Sequence, residues 1–118
     1  MDTTSKKPWG YYDDHYREDD VVFKTIVVNP GEALSLQKHK NRAEFWFVRS
    51  GIGIFEDGIN QYDLDIYRVK QGSTCHIPVG RWHRIENNGK VPLVIVEMQC
   101  GICDEDDIER AEDRYGRA

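Results

Sequence analysis

Cysteine is scarce: Cys75, Cys100 and Cys103 are the three in 118 residues. An odd number, in a chain with no secretion signal, argues against a disulfide framework and makes reduced thiols the default. Cys100-Gly101-Ile102-Cys103 is a lone CxxC, and a structural zinc needs two further ligands at matching spacing that the sequence does not offer. Long apolar runs are missing too. No window approaches the roughly 20 apolar residues that span a bilayer, and the opening MDTTSKKPWGYY lacks the apolar core of a signal peptide. The expectation is a cytoplasmic protein with no membrane partner. Positive charge is in deficit, 16 Lys and Arg against 21 Asp and Glu. A net charge of −5 argues against nucleic acid as a partner, because phosphate-backbone binding needs a clustered cationic surface. There is no internal repeat, and the length suits one domain with one core.

What is present is bulky and β-forming. Three Trp, six Tyr and four Phe supply core material that a disordered chain lacks. Residues 1–20 are polar and turn-rich and read as an N-terminal arm, with Trp9, Tyr11 and Tyr12 as anchors. From Val21 the pattern changes. VVFKTIVV, ALSLQKH, EFWFVRS, IGIFED, DIYRVK, STCHIP, RWHRIE and VPLVIVEMQ are β-branched, aromatic or alternating, and Asn29-Pro30-Gly31, Ser50-Gly51, Gly72, Pro78-Val79-Gly80 and Asn87-Asn88-Gly89 punctuate them. Seven or eight strands at about ten-residue spacing predict an all-β sandwich or barrel over residues 21–118. DEDDIERAEDRYGRA, acidic first and basic later, predicts a short C-terminal helix. Charge is uneven along the chain. Residues 1–20 carry three cations against six anions, residues 21–90 ten against seven, and residues 91–118 three against eight. A locally basic middle in an acidic protein suits a small anionic ligand.

Gln37-Lys38-His39-Lys40-Asn41-Arg42-Ala43-Glu44 lies between two of these strands. In a strand, residues two apart share a face, so Gln37 and His39 point the same way. Lys40 to Ala43 turn the chain, and Glu44 opens the next strand. His83 enters a later strand just after Pro78-Val79-Gly80. If these strands line one barrel, an amide oxygen, two imidazoles and a carboxylate converge, a set that suits Zn²⁺, Fe²⁺, Mn²⁺ or Co²⁺. From residue types alone, polar side chains on a solvated sheet face are an equally good reading.

Spacing separates the two. Gly31, five residues, Gln37-x-His39, four residues, Glu44, six residues, Gly51 is the first cupin motif with Gln in place of its first His. Gly72, five residues, Pro78-x-Gly80, two residues, His83, three residues, Asn87 is the second motif at every position. With KPWGYY, VVNPGEALSLQKHKNRAEFWFVRSG, HIPVGRWHRIENNGKVPLVIVEMQ and the tail DEDDIERAEDRYGR, the sequence resembles the C-terminal mannose-6-phosphate isomerase domain of type II phosphomannose isomerase/GDP-mannose pyrophosphorylases, from about Lys7 to Arg117. The resemblance implies a single-domain cupin, that is, a double-stranded β-helix or jelly-roll barrel. It further implies a divalent metal, Zn first and Mn, Co, Fe or Ni as alternatives, on Gln37, His39, Glu44 and His83. Lys40, Asn41 and Phe45 in the first motif, Lys7 before Pro-Trp-Gly and His76 before Ile-Pro depart from the family pattern without removing a ligand. The nucleotidyltransferase half of the fused relatives has no counterpart in these residues.

The activity implied is interconversion of mannose 6-phosphate and fructose 6-phosphate in polysaccharide and nucleotide-sugar precursor metabolism, with a small sugar phosphate as partner. Moving a proton between C2 and C1 needs a base within hydrogen-bond reach. His76 is a candidate, and a packing or surface histidine is the alternative. For the phosphate a bidentate Arg is the better geometric match. Arg42 beside the ligands and Arg81, in parity with His83, are favoured, and Arg84 is kept because parity fails near loops. A homodimer is expected. Two other functions compete: a non-catalytic sugar-binding or regulatory cupin, and another metal cupin enzyme such as an epimerase or oxygenase.

Overall fold

The structure is a computed structural model that describes residues 3–118. Among the described residues eleven strands follow one another: β1 (Thr4–Lys7), β2 (Gly10–Arg17), β3 (Val21–Val28), β4 (Leu36–Lys38), β5 (Arg42–Ser50), β6 (Ile52–Gly58), β7 (Asp65–Lys70), β8 (Thr74–Ile77), β9 (Trp82–Glu86), β10 (Leu93–Gly101) and β11 (Glu109–Glu112). All pairings are antiparallel. They make a six-stranded sheet in the order β1-β2-β3-β10-β5-β8 and a five-stranded sheet in the order β11-β4-β9-β6-β7.

The eight stretches read as strands from sequence become β3 to β10 because their alternation gives each sheet one apolar face to bury. In β5, Arg42, Glu44, Trp46 and Val48 are buried while Phe45, Phe47 and Arg49 are exposed, the period-2 pattern of a half-buried strand. Trp46, Val48, Ile26, Val28, Leu93 and Ile95 from the larger sheet meet Phe55, Val69 and Ile85 from the smaller one to form the core. Two motif residues are structural pins. Gly51 turns β5 into β6 at φ +90°, where a Cβ would sit 2.7 Å from the Pro92 carbonyl oxygen, so only glycine fits. The Asn87 Nδ2 donates to the Val28 and Val91 carbonyls at 2.9 and 2.8 Å and its Oδ1 accepts from Gly89 N at 2.9 Å, closing the turn before β10.

Two stretches differ from the sequence reading. The N-terminal stretch supplies β1 and β2, with β2 paired along β3, and Trp9 is buried in this chain's own core. The expected C-terminal helix is absent, and a loop followed by β11 takes its place. Here the acidic side chains bond locally to backbone and to the neighbouring loop in place of capping a helix. Asp104 Oδ1 accepts from Asp106 N, and the Asp107 carboxylate accepts from Lys40 N at 2.9 Å and Asn41 N at 2.8 Å. Glu109 and Arg110 then pair with Lys38 and Gln37 of β4, so tertiary pairing overrides helix propensity. Among the described residues no helix is long and apolar enough to cross a membrane.

Candidate metal and ligand site

One end of the barrel is polar. Going along the inward positions of the larger sheet, apolar residues give way to Lys24 on β3, Arg42 and Glu44 on β5, and Glu97 and Gln99 on β10. The strand registers place Glu97 opposite Lys24 and Trp46, and Gln99 opposite Glu44. From the smaller sheet, Gln37 of β4 is opposite His83 of β9, and His39 follows β4 at the same end. His39, Glu44 and His83 are all buried, and their ligating atoms lie within 4.8 Å of one another. A cavity of about 280 Å³ opens beside them, lined among others by Gln37, His39, Arg42, Glu44, Glu97, Lys24, Arg110 and Arg117.

Hydrogen bonds fix how these groups point. His39 Nδ1–H donates to the Asp107 carbonyl at 2.6 Å, and His83 Nδ1–H donates to the Arg81 carbonyl at 3.0 Å. Burial, with the nearby Arg42 charge, holds His39 down to about 3 and His83 down to about 4. Both rings are therefore neutral near pH 7, and each turns its Nε2 lone pair toward Glu44, at 3.3 Å for His39, where Gln37 Nε2 and Arg42 Nη2 also donate to it, and at 3.6 Å for His83. His83 Nε2 and Glu44 Oε1 are buried without a hydrogen-bond partner. These two facing acceptors, 3.6 Å apart, repel unless a cation sits between them, and with His39 beside them the donor set fits a divalent metal. Gln37 stands next to His39, its Nε2 3.3 Å from His39 Nε2 and its Oε1 bonded to Ser35 Oγ at 2.7 Å. Offering Oε1 to a cation requires the amide to turn over, which leaves Ser35 Oγ to accept from the NH₂ group.

A second carboxylate lies beside the first. Glu97 is fully buried, and burial first and then the neighbouring Glu44 push it up to about 7. It accepts from Trp46 Nε1 and Gln99 Nε2, both at 2.8 Å. Arg42 is locked in place, donating to Glu44 Oε2 at 3.0 Å and to the Asp104 carbonyl at 3.1 Å, with Nη2 3.3 Å from His39 Nε2.

The structure brings Gln37, His39, Arg42, Glu44 and His83 together and leaves His76, Arg81 and Arg84 outside. Parity on β8 buries Cys75 and turns His76 outward, where it stacks on Phe45 at 4.5 Å. The Arg81 Nε donates to Asp57 at 2.8 Å, and Arg84 bridges Glu56 and Glu112 on the outer face. Lys24, Glu97, Gln99, Arg110 and Arg117 were not singled out from sequence. A signal for the first three existed: Lys24 shares parity with Val22 and Ile26, and Glu97 and Gln99 share it with Leu93 and Ile95. A charged or amide side chain on the buried face of an apolar strand marks a site.

A double-stranded β-barrel whose two spaced motifs bring a half-buried Gln together with a buried His, Glu and His defines a cupin. Solved structures share the fold. The capsular polysaccharide assembling protein CapF of Staphylococcus aureus superposes with a TM-score of 0.81 at 22% identity over 93% of this chain and 34% of its own. Oxalate decarboxylase OxdC of Bacillus subtilis does so with a TM-score of 0.80 at 16% identity, over 98% of this chain and 32% of its own. The chain belongs to the family described as mannose-6-phosphate isomerase C-terminal, whose model matches residues 1–113. Among curated relatives, the alginate biosynthesis protein AlgA of Pseudomonas putida is 42% identical over 94% of this chain. A mannose-1-phosphate guanylyltransferase of Escherichia coli is also 42% identical over 94%, and the xanthan biosynthesis protein XanB of Xanthomonas campestris is 41% identical over 94%. The chain spans 22 to 23% of the length of these relatives.

Proposed function

We propose that this chain is a metal-dependent aldose–ketose isomerase that interconverts mannose 6-phosphate and fructose 6-phosphate, acting in the cytoplasm to supply precursors for polysaccharides. The observation that carries the reading is the buried cluster of His39, Glu44 and His83, with His83 Nε2 and Glu44 Oε1 left without a hydrogen-bond partner, beside a cation-lined cavity. Family membership supports the choice of reaction. His39, Glu44 and His83 hold the metal with Gln37 as fourth ligand, and zinc suits two imidazoles, a carboxylate and an amide oxygen with no thiolate. A divalent ion held by these residues would supply positive charge for the developing enediolate oxygens. The chain does the rest. Asp107 and Arg81, through their carbonyls, hold the two imidazoles in the ligating tautomer. Arg42 orients Glu44, and the aromatic walls Trp9, Tyr12 and Trp46 shape the cavity. Proton transfer belongs to a group lining this cavity, and His76 faces away from it.

The test is turnover. Metal-free protein is loaded in turn with Zn²⁺, Mn²⁺, Co²⁺, Fe²⁺ and Ni²⁺ and given mannose 6-phosphate, with fructose 6-phosphate followed over time. Metal-dependent formation of product, abolished by His83→Ala together with metal binding, is the expected result. Metal binding without turnover by any ion would replace the isomerase with a sugar-phosphate-binding cupin.

A further inference from the structure

The tail strand β11 brings a cation into the site. Arg110 is opposite Gln37 in the β11–β4 ladder, and Gln37 is opposite His83 in the β4–β9 ladder. Directly opposed residues of antiparallel strands carry their side chains on the same face. Arg110, Gln37 and His83 therefore form one row across the smaller sheet, with Arg110 two strand spacings, roughly 10 Å, from His83. Arg110 lines the same cavity as the cluster.

Its charge has no counter-ion. Arg17, Arg42, Arg81, Arg84, Arg114 and Arg117 each reach a carboxylate within 4.0 Å, and among the described residues Arg110 reaches none. Its Nε is buried with no hydrogen-bond partner. The nearby acid, Asp113, is taken by Arg117, which holds both its oxygens at 2.8 and 2.9 Å. Burial and the neighbouring Arg117 charge lower Arg110 from its ordinary value, as expected where cations outnumber anions. Leaving a guanidinium half-buried and unpaired is unfavourable unless an anion arrives.

We propose that Arg110 anchors the phosphoryl group of the ligand, a dianionic phosphate monoester, at the β11 edge of the cavity, on the far side of Gln37 from His83. This rests on the isomerase reading for the rest of the molecule, since the site would take any small sugar phosphate whose carbonyl end reaches the metal. The guanidinium fork matches two phosphate oxygens. Lys24, partly neutralised by Glu105 at 2.8 Å, adds a point charge across the cavity.

The experiment compares wild type, Arg110→Ala and Arg110→Lys, with Arg49→Ala as a surface control. Calorimetry on metal-free protein measures binding of inorganic phosphate, mannose 6-phosphate and mannose, and a separate Zn²⁺ titration reports whether the metal ligands are intact. The expected result is that Arg110→Ala weakens phosphate and mannose 6-phosphate about tenfold or more and leaves mannose and Zn²⁺ unchanged. Arg110→Lys retains part of the affinity, and Arg49→Ala retains all of it. Where turnover is measurable, KM for mannose 6-phosphate rises in Arg110→Ala with kcat little changed. Equal phosphate binding by Arg110→Ala and wild type, or no preference of wild type for mannose 6-phosphate over mannose, overturns the proposal. Phosphate binding that depends on Arg110 without turnover sinks the isomerase reading and leaves this one standing.

Discussion

Glu97 and Glu44 are two carboxylates side by side in the barrel interior, and both lie within reach of a bound cation's field. In the metal-free protein they repel each other, which is the cost of a site built to receive positive charge. Glu97→Gln removes that repulsion at nearly constant volume. Its Oε1 still accepts from Trp46 Nε1. Gln99, whose own Oε1 is buried without a partner, can turn over to accept from the new amide. The expected outcome is metal-free protein that melts at the same temperature or higher, combined with metal affinity lowered about tenfold, the usual effect of altering a group behind the ligands. Thermal melts and a Zn²⁺ titration check both halves, and a large loss of stability would show that the Glu97 charge holds the fold. That Gln37, His39, Glu44 and His83 meet at one candidate site was legible in sequence because motif spacing is covalent: their separations along the chain hold whatever the fold does. The outward turn of His76 and the engagement of Arg81 and Arg84 with Asp57, Glu56 and Glu112 were not legible. Each depends on one step of strand parity beside a loop, where a single residue flips a side chain to the other face.

At the scale of elements, the tail is where sequence and structure part. Its acidic run satisfies the charge rule for a helix start, yet the same carboxylates find better partners in the loop after β4. Asp107 accepts two backbone N–H bonds from Lys40 and Asn41, and its carbonyl orients His39. Those partners lie more than 60 residues away in the chain, so no local window of sequence reveals them. β1 and β2 escaped for the same reason, because these polar and turn-rich residues become strands through the pairing of β2 with β3 and of β1 with β2. Asp107→Ala should destabilise the protein by about 1–3 kcal/mol, lowering the melting temperature by several degrees, and should weaken metal binding because His39 loses its fixed neighbour. An unchanged Zn²⁺ titration would separate the tail from the site. Glu105, next in the same tail, gives a pH signature. Burial raises its pKa, but hydrogen bonds and charge from Lys24 and Arg17 prevail and hold it at about 2. A folded value below the ordinary one stabilises the fold above about pH 4.5, and this stabilisation is lost as pH falls through about 2. The gap in melting temperature between wild type and Glu105→Gln should therefore be largest above pH 5 and close toward pH 2. Glu105 is 45% exposed, so that gap will be small.

For the whole molecule, the two outer faces differ in kind. On the smaller sheet, Arg68, Glu86, Glu56 and Arg84 point outward, with Arg84 paired to Glu56. On the larger sheet two cross-strand rows contain no Asp, Glu, Lys or Arg. Phe23, Met98, Phe45 and His76 form one, and Thr25, Val96, Phe47 and Thr74 form the other. Phe23, Phe45, Phe47 and Val96 are each 37 to 45% exposed, and Tyr16 extends the first row edge-on to Phe23 at 6.1 Å. The rows cross four strands about 4.8 Å apart, and Asp13, opposite Thr25 on β2, and Arg49, two residues beyond Phe47 on β5, lie at their edges. An apolar centre with a polar rim is the composition such an interface needs. A second copy of this chain presents the same face, and the two apolar centres meet without the repulsion that a net charge of −5 imposes elsewhere on the surface. Light scattering at micromolar concentration should therefore give a dimer. Phe45→Ser with Phe47→Ser should give a monomer that still binds Zn²⁺, because both side chains point away from the cavity. A wild-type monomer at those concentrations would refute the pairing, and a dimer unaffected by the double substitution would move the interface elsewhere on the molecule. If the pairing holds, it also explains why His76 stacks flat on Phe45 at the sheet surface: the stack is then a contact of the assembly, outside the chemistry of the cavity.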